Sequence, residues 1–452
     1  MALNISRILH AGYYFEYENT RIVFDPIFEN PFSRNCFAFP SVAFDTDQIQ
    51  KLALDAVFIS HFHDDHCSME SLNLLNKKTP IYIFCVHEDM LSMIRSLGFV
   101  RVFSLRLNTT IKIGSIQVTP YPALDVDVDS IFHIQAGDVN VLNVVDSWID
   151  ERTLKVLERS APWDLVLWPF QTMRELEVLS PSRFKNQPVE LPHEWLEQIK
   201  KLNPKVIVPS SCQFIHETWS WYNHAFFPIS YQYFEKEIKR LQPGAQVLKL
   251  NPGVSVTMTR NGFQPASPLS WMSTPGTCEV DYEYRPNADV PTTSEIATKI
   301  SAISEEDAER VYRYCTETLP VVYSQLYEDD QDYEIGYFKE SRLWRLQLYD
   351  HLGQVRTFSY RIQGRRMVLA DHRSVGVSWL TEAPCAKIFA ALELGESLTS
   401  MYLRINDTEF DSSVEAEIKD SDVLDDPLVR CLFNRVFGAY QTAQLKKILN
   451  RD

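Results

Sequence analysis

Apolar and polar residues alternate from Ile5 to Pro26 around a polar turn at Glu18, Asn19 and Thr20, which predicts two strands of a hairpin ending at Asp25 and Pro26. The same reading predicts strands at Ala56–Ser60, Ile81–Cys85, Ile116–Pro120, Ile131–Gln135, Val139–Val145, Leu165–Trp168 and Lys205–Pro209. Between them, a period near 3.6 predicts helices at Ser68–Leu75, Glu88–Leu97, Glu151–Glu158, Glu194–Leu202 and Ser230–Leu241, each bounded by Gly, Pro or a polar cap. Strands alternating with helices imply mixed sheets covered by helices, an α/β fold.

From about 262 to 293 the pattern dissolves into Pro, Ser, Thr, Gly and Asn, the composition of a linker or an extended wrap. Beyond it a second, smaller α+β unit is predicted. Ser304 and Asp307 resemble a capping box, and Ala308, Val311, Tyr312, Cys315 and Leu319 make one apolar helical face. Strands follow at Leu343–Leu348, Thr357–Ile362 and Met367–Ala370. A helix through Cys385 and Ile388 stops at Gly395, and a last helix starts at Pro427. The division is therefore 1–261, a linker at 262–293, and an accessory unit at 294–452.

Composition narrows the function. With 452 residues, 45% of them hydrophobic, the chain can bury large cores, so disordered and low-complexity readings fail. A net charge of −16 opposes nucleic-acid binding, which needs clustered Lys and Arg. The eight cysteines contain no CxxC pair and read as reduced thiols. No apolar run approaches the ~20 residues that span a bilayer, so a cytoplasmic protein without membrane association is expected. The expected partner is a small-molecule substrate, and the sequence carries no signal for an oligomeric state.

Nine of the eleven histidines precede residue 225, so the chemistry is sought in the first unit. Directly behind the apolar strand Ala56–Ser60 come His61, Phe62, His63, Asp64, Asp65 and His66. In an extended segment i and i+2 share a face, so His61 and His63 can grip one ion while Asp65 and His66 address a second close by. Three imidazoles clustered by chance on a surface loop is the competing reading, and the buried strand in front of them argues against it.

This hexapeptide resembles the HxHxDH motif of the metallo-β-lactamase superfamily, matched in full by His61, His63, Asp65 and His66. His10-Ala11-Gly12 and Arg21 to Pro26 are similar to that family's opening hairpin. The resemblance implies an αββα sandwich over about residues 3 to 260, two metal ions, and Asp25 as a support behind the metal loop with His10 near it. It also implies the strand-end Asp146 as a bridge between the metals. The family's next histidine is replaced, after Tyr121-Pro122-Ala123-Leu124, by Asp125, which is expected to reach the metals. Its last histidine, after Lys205–Pro209, is replaced by Ser210, Ser211 and Cys212, leaving His216 as the preferred substitute and His224 as the other candidate.

The stretch from Asp129 to Asp146, like Pro209 to Phe214, most resembles the non-Rieske part of CMP-N-acetylneuraminate hydroxylases, although the CxH and CxxH pair of a Rieske cluster is missing. The expected cofactors are two divalent ions, zinc, iron or manganese, because carboxylate in place of imidazole gives a harder ligand set. Three functions follow from that set. The first is a binuclear hydrolase in which Asp65 orients a metal-bound hydroxide, the second a diiron oxygenase or oxidoreductase on the same ligands, and the third a noncatalytic binding protein stabilised by metal. Trp148, Trp168, Trp219, Trp221 and Tyr222 follow predicted strand ends and are candidate pocket walls.

Overall fold

A computed structural model describes residues 2–184, 188–286, 289–329, 336–371, 373–408, 410–419, 423–433 and 437–450. Two sheets face one another in the first unit. One has eight strands in the order Gly262–Pro265, Ser255–Thr259, Leu3–Arg7, Tyr13–Tyr17, Thr20–Phe24, Ala56–Ile59, Ile81–Ile83 and Val102–Ser104. The other has seven, running Gln246–Val247, Val206–Pro209, Leu165–Trp168, Val139–Asn143, Ser130–Ala136, Ile116–Pro122 and Ile111–Ile113.

Strand alternation builds the layers, because successive side chains point to opposite faces. Phe58 faces the second sheet and meets Phe24 at 5.1 Å and Phe132 at 6.2 Å. Val57 and Ile59 face the other way and join the helix-side core with Leu72, Met90 and Ile94. Both sheets are thus sandwiched between helices, an αββα architecture.

The opening segment is three strands rather than two, since Tyr13–Tyr17 begins anew after a turn at His10 to Gly12. A Cβ at Gly12 would lie 2.7 Å from the carbonyl of Asp25, so glycine lets that turn pack against the end of the third strand.

The Pro-rich stretch is an extended wrap on the first unit. Gly262–Pro265 forms an edge strand and Met272–Ser273 pairs with Ala43–Phe44. Beyond it, a five-stranded sheet in the order Arg366–Ala370, Val355–Gln363, Arg342–Tyr349, Trp379–Pro384 and Arg404–Ile405 packs against helices around its own core. The helix starting at Pro427 ends at Phe433, and the last helix of the described chain is Ala439–Leu449, begun at Gly438 with φ of +63°. Among the described residues no helix is long and apolar enough to cross a membrane.

Candidate metal centre

The motif sits in a tight connection from strand to helix. Ala56–Ile59 is wholly buried, the amides of His66 and Cys67 both donate to the carbonyl of His63, and the Ser68 hydroxyl caps the helix Met69–Asn73 by accepting from Ser71. This turn brings His61 Nε2 within 2.9 Å of His63 Nδ1 and places the His61 and His66 rings 4.0 Å apart.

Asp25 sets the tautomers. Its carboxylate takes Ser60 N–H at 2.7 Å, Ser60 O–H at 2.8 Å and His66 Nδ1 at 3.0 Å. Ser60 Oγ, having given its proton to Asp25, accepts from His61 Nδ1 at 2.9 Å. Both rings therefore spend their Nδ1 protons on the Asp25–Ser60 pair and turn Nε2 into the site, the arrangement that orients metal-binding histidines.

His10 is held the opposite way. Its Nδ1 accepts from the Cys212 amide at 3.2 Å, so Nε2 carries the proton and donates to Asp65 Oδ2 at 3.0 Å. Although His10, Asp65, His66 and Asp146 converge closely enough to hold an ion, this tautomer makes His10 a donor to Asp65 rather than a ligand.

Asp146 follows Val139–Asn143 through Val145, whose φ of +63° turns the chain sharply; the Asn143 side chain accepts from the Val145 amide at 3.1 Å. Asp146 Oδ2 lies 3.0 Å from His66 Nε2, while Oδ1 lies 4.0 Å from His61 Nε2. A third carboxylate joins them: Asp129 Oδ1 is 3.8 Å from His61 Nε2. Asp129 Oδ1 and Asp146 Oδ1 are both buried without a hydrogen-bond partner. Two orphaned carboxylate oxygens beside a ligand-ready imidazole fit a cation.

Burial opposes ionisation of Asp65 and Asp146, but His66 and its neighbouring imidazoles outweigh it and hold both carboxyls below the usual range. Burial likewise opposes a charge on His66, and Asp146 and Asp65 outweigh it, raising that imidazole well above its ordinary value. Burial and the nearby Asp146 push Asp129 up to about 6.

Asp125 is not brought to this cluster. It lies exposed in the loop before Asp129, accepting from the Asp127 amide at 3.3 Å. His216 is buried in an aromatic cage, with Tyr222 at 5.2 Å and Phe214 and Phe226 at 5.7 Å, where burial lowers it to about 3. His224 bonds the Glu283 carbonyl at 3.1 Å.

The segment that lacks the last histidine is instead clamped. Fully buried Arg7 donates to the carbonyls of His10, Pro209, Leu250 and Ser210, while Tyr13 and Ser210 join hydroxyls at 2.7 Å. Of the candidate wall aromatics, Trp168, Trp221 and Tyr222 are buried, Trp219 stacks near Tyr402 at 5.1 Å, and Trp148 is 37% exposed. Trp148 accepts from the Leu124 amide through its carbonyl, and with exposed Leu124 and Val126 it forms an apolar rim on the loop that leads to Asp129.

Residues 4–211 match the profile of the beta-lactamase superfamily domain. Among solved structures, the chain is similar to a metallo hydrolase of the hyperthermophilic archaeon Ignicoccus hospitalis (16% identity, 57% of this chain and 99% of that one, TM-score 0.40). It is also similar to a metallo-β-lactamase fold protein of Bacillus subtilis (13% identity, 57% and 99%, TM-score 0.39). A third likeness is to CmlA, a diiron β-hydroxylase of Streptomyces venezuelae, over 57% of this chain and 53% of that one (16% identity, TM-score 0.38). A search of curated proteins gives no significant match.

Proposed function

For a chain whose residues 4–211 match a beta-lactamase superfamily domain and whose first unit has the metallo-β-lactamase fold, we propose a binuclear metal-dependent hydrolase acting on a small molecule. The observation that carries this reading is the division of Asp146, one oxygen toward His66 and the other toward His61. His61, His63, Asp129 and Asp146 would hold one ion, and Asp65, His66 and Asp146 the other. Bound there, two divalent ions supply hydroxide near neutral pH and polarise a carbonyl or phosphoryl oxygen.

The protein's own groups do the rest. Asp65, kept ionised by His66 and His10, holds a proton acceptor beside the reacting atoms, and the His10 N–H at 3.0 Å fixes its orientation. Asp25 and Ser60 keep both imidazoles in the ligating tautomer. Trp148, Leu124 and Val126 offer an apolar surface to the part of the substrate that does not react.

A second reading, a diiron oxygenase or oxidoreductase, is favoured by the ligand chemistry: three carboxylates match three imidazoles, a set that suits iron or manganese as well as zinc. Metal analysis of protein purified without added metal, with an optical spectrum under air, separates the two. About two zinc per chain and no visible or near-ultraviolet band support hydrolysis. About two iron with an absorption band support oxygen chemistry, and substoichiometric metal defeats both.

Asp129 and Asp125 make a paired prediction. Asp129→Ala should weaken metal binding at one position by more than the ~10–100-fold typical of losing an outer partner. Asp125→Ala should leave it unchanged. Equal losses in both variants, measured by competition with a chromophoric chelator, would return Asp125 to the ligand set.

A further inference from the structure

The C-terminal end of the chain reaches the metal loop from behind. Gln441, 2% exposed, donates one amide N–H to the carbonyl of Phe62 at 2.8 Å and the other to the carbonyl of Cys67 at 2.9 Å, across 379 and 374 residues of sequence. Phe62 lies between His61 and His63, and Cys67 follows His66, so a single side-chain amide spans the segment that carries His63, Asp65 and His66 and begins directly after His61. A planar amide has two donors at a fixed angle, and satisfying two carbonyls with it fixes their separation. Those carbonyls belong to a connection outside any sheet ladder, where buried backbone groups must find partners elsewhere.

The contact is part of a docked helix. Gln444, one turn on, accepts from the Met69 amide at 2.7 Å, at the start of the helix that follows the motif. Phe437 packs on Phe62 at 4.6 Å and on His87 at 4.2 Å, and Lys447 pairs with Glu70 at 2.6 Å. On its far side the helix is seated on the second unit: a Cβ at Gly395 would fall 2.2 Å from the Tyr440 nitrogen, so only glycine allows this approach.

We propose that the helix Ala439–Leu449 is an integral part of the metal centre and that Gln441 is a positioning residue, setting the spacing of His61 and His63 against Asp65 and His66. This rests on the reading of the motif as a metal site. Its consequence is that the second unit governs metal affinity without supplying a ligand.

The test uses the full chain titrated with cobalt(II), whose visible spectrum reports ligand geometry. Gln441→Met keeps the side-chain length and removes both donors. It is expected to lower cobalt affinity about tenfold or more and to change the absorption envelope. Gln444→Met, on the same helix face but bonded outside the motif, should lower thermal stability comparably while leaving the spectrum as in the wild type. Gln441→Lys, which restores N–H donors, should recover both affinity and spectrum.

Unchanged affinity and spectrum in Gln441→Met, or identical changes in both Met variants, overturn the proposal and reduce the helix to ordinary packing. If Gln441→Met does not fold, Gln441→Asn replaces it: its amide falls one methylene short of the two carbonyls, and wild-type behaviour there is equally fatal. A wild-type chain that takes up no cobalt instead refutes the metal centre itself, and this role of Gln441 with it.

Discussion

Protein carrying Asp146→Asn is expected to fold and to purify with no more than traces of metal at either position. Both positions should fail together because the two carboxylate oxygens serve different imidazoles, Oδ2 toward His66 at 3.0 Å and Oδ1 toward His61 at 4.0 Å. Asparagine keeps one acceptor but loses the negative charge, and the N–H pair it turns toward the other imidazole cannot ligate a metal. The loss should exceed that of Asp129→Ala, whose carboxylate lies 3.8 Å from His61 and bridges no second imidazole at that range among the described residues. Folding should survive, since Asp25 and Ser60 still hold both rings and the strand before the motif, Ala56–Ile59, is wholly buried. The readout is metal content together with thermal melts with and without chelator. A ligand present at about 1,000 times its Kd stabilises a fold by about 4 kcal/mol, so the wild type should lose several degrees in chelator while the variant melts at one temperature in both conditions. A variant that keeps one metal per chain would show that Asp146 serves a single position.

The two halves of the site differ in how far the sequence exposes them. His61, His63, Asp65 and His66 are readable because an apolar strand runs straight into them and the whole motif occupies six consecutive residues. Asp25 and Asp146 are marked by the family resemblance, which the strand ends they occupy make easy to place. Sequence reasoning does not separate Asp129 from Asp125, because seven residues lie between Pro122 and Ser130 and period arguments stop where a strand stops. Ser130 pairs with Pro122, so Asp129 stands at the strand end while Asp125 and Asp127 ride on the loop.

His216 is an imidazole of suitable position in the sequence that folding turned into an aromatic cage, which periodicity alone does not reveal. Gln441 was illegible on any local argument, because its partners are 374 and 379 residues away and a lone glutamine on a helix reads as solvent-facing. Gly438, which opens the helix Ala439–Leu449, marks close approach to Met93 rather than a change of composition.

A fragment ending near residue 265 should be poorly soluble and largely aggregated. Trp271 packs edge-on against Phe28 at 5.6 Å, Tyr282 lies among Phe39, Phe170 and Phe227 at 4.9 to 6.0 Å, and Tyr402 meets Tyr222 at 4.9 Å. All three belong to the same apolar core as Val57, Ile59 and Leu72 behind the metal loop. At roughly 2 kcal/mol for each buried aromatic, removing them forfeits roughly 6 kcal/mol, comparable to the whole stability of many domains. Polar ties go with them: Tyr282 donates to the Phe214 carbonyl at 2.9 Å, Tyr402 to Glu217, and Gln441 to the metal loop. The uncovered Phe28, Phe39, Phe62 and Phe227 would form an apolar surface of the kind that drives association. Size-exclusion chromatography and metal analysis of the fragment beside the full chain decide the matter. A monomeric, soluble fragment that binds two metals as tightly as the whole chain would show that the second unit is an independent module, and that the contacts of its last helix with the metal loop carry no energy.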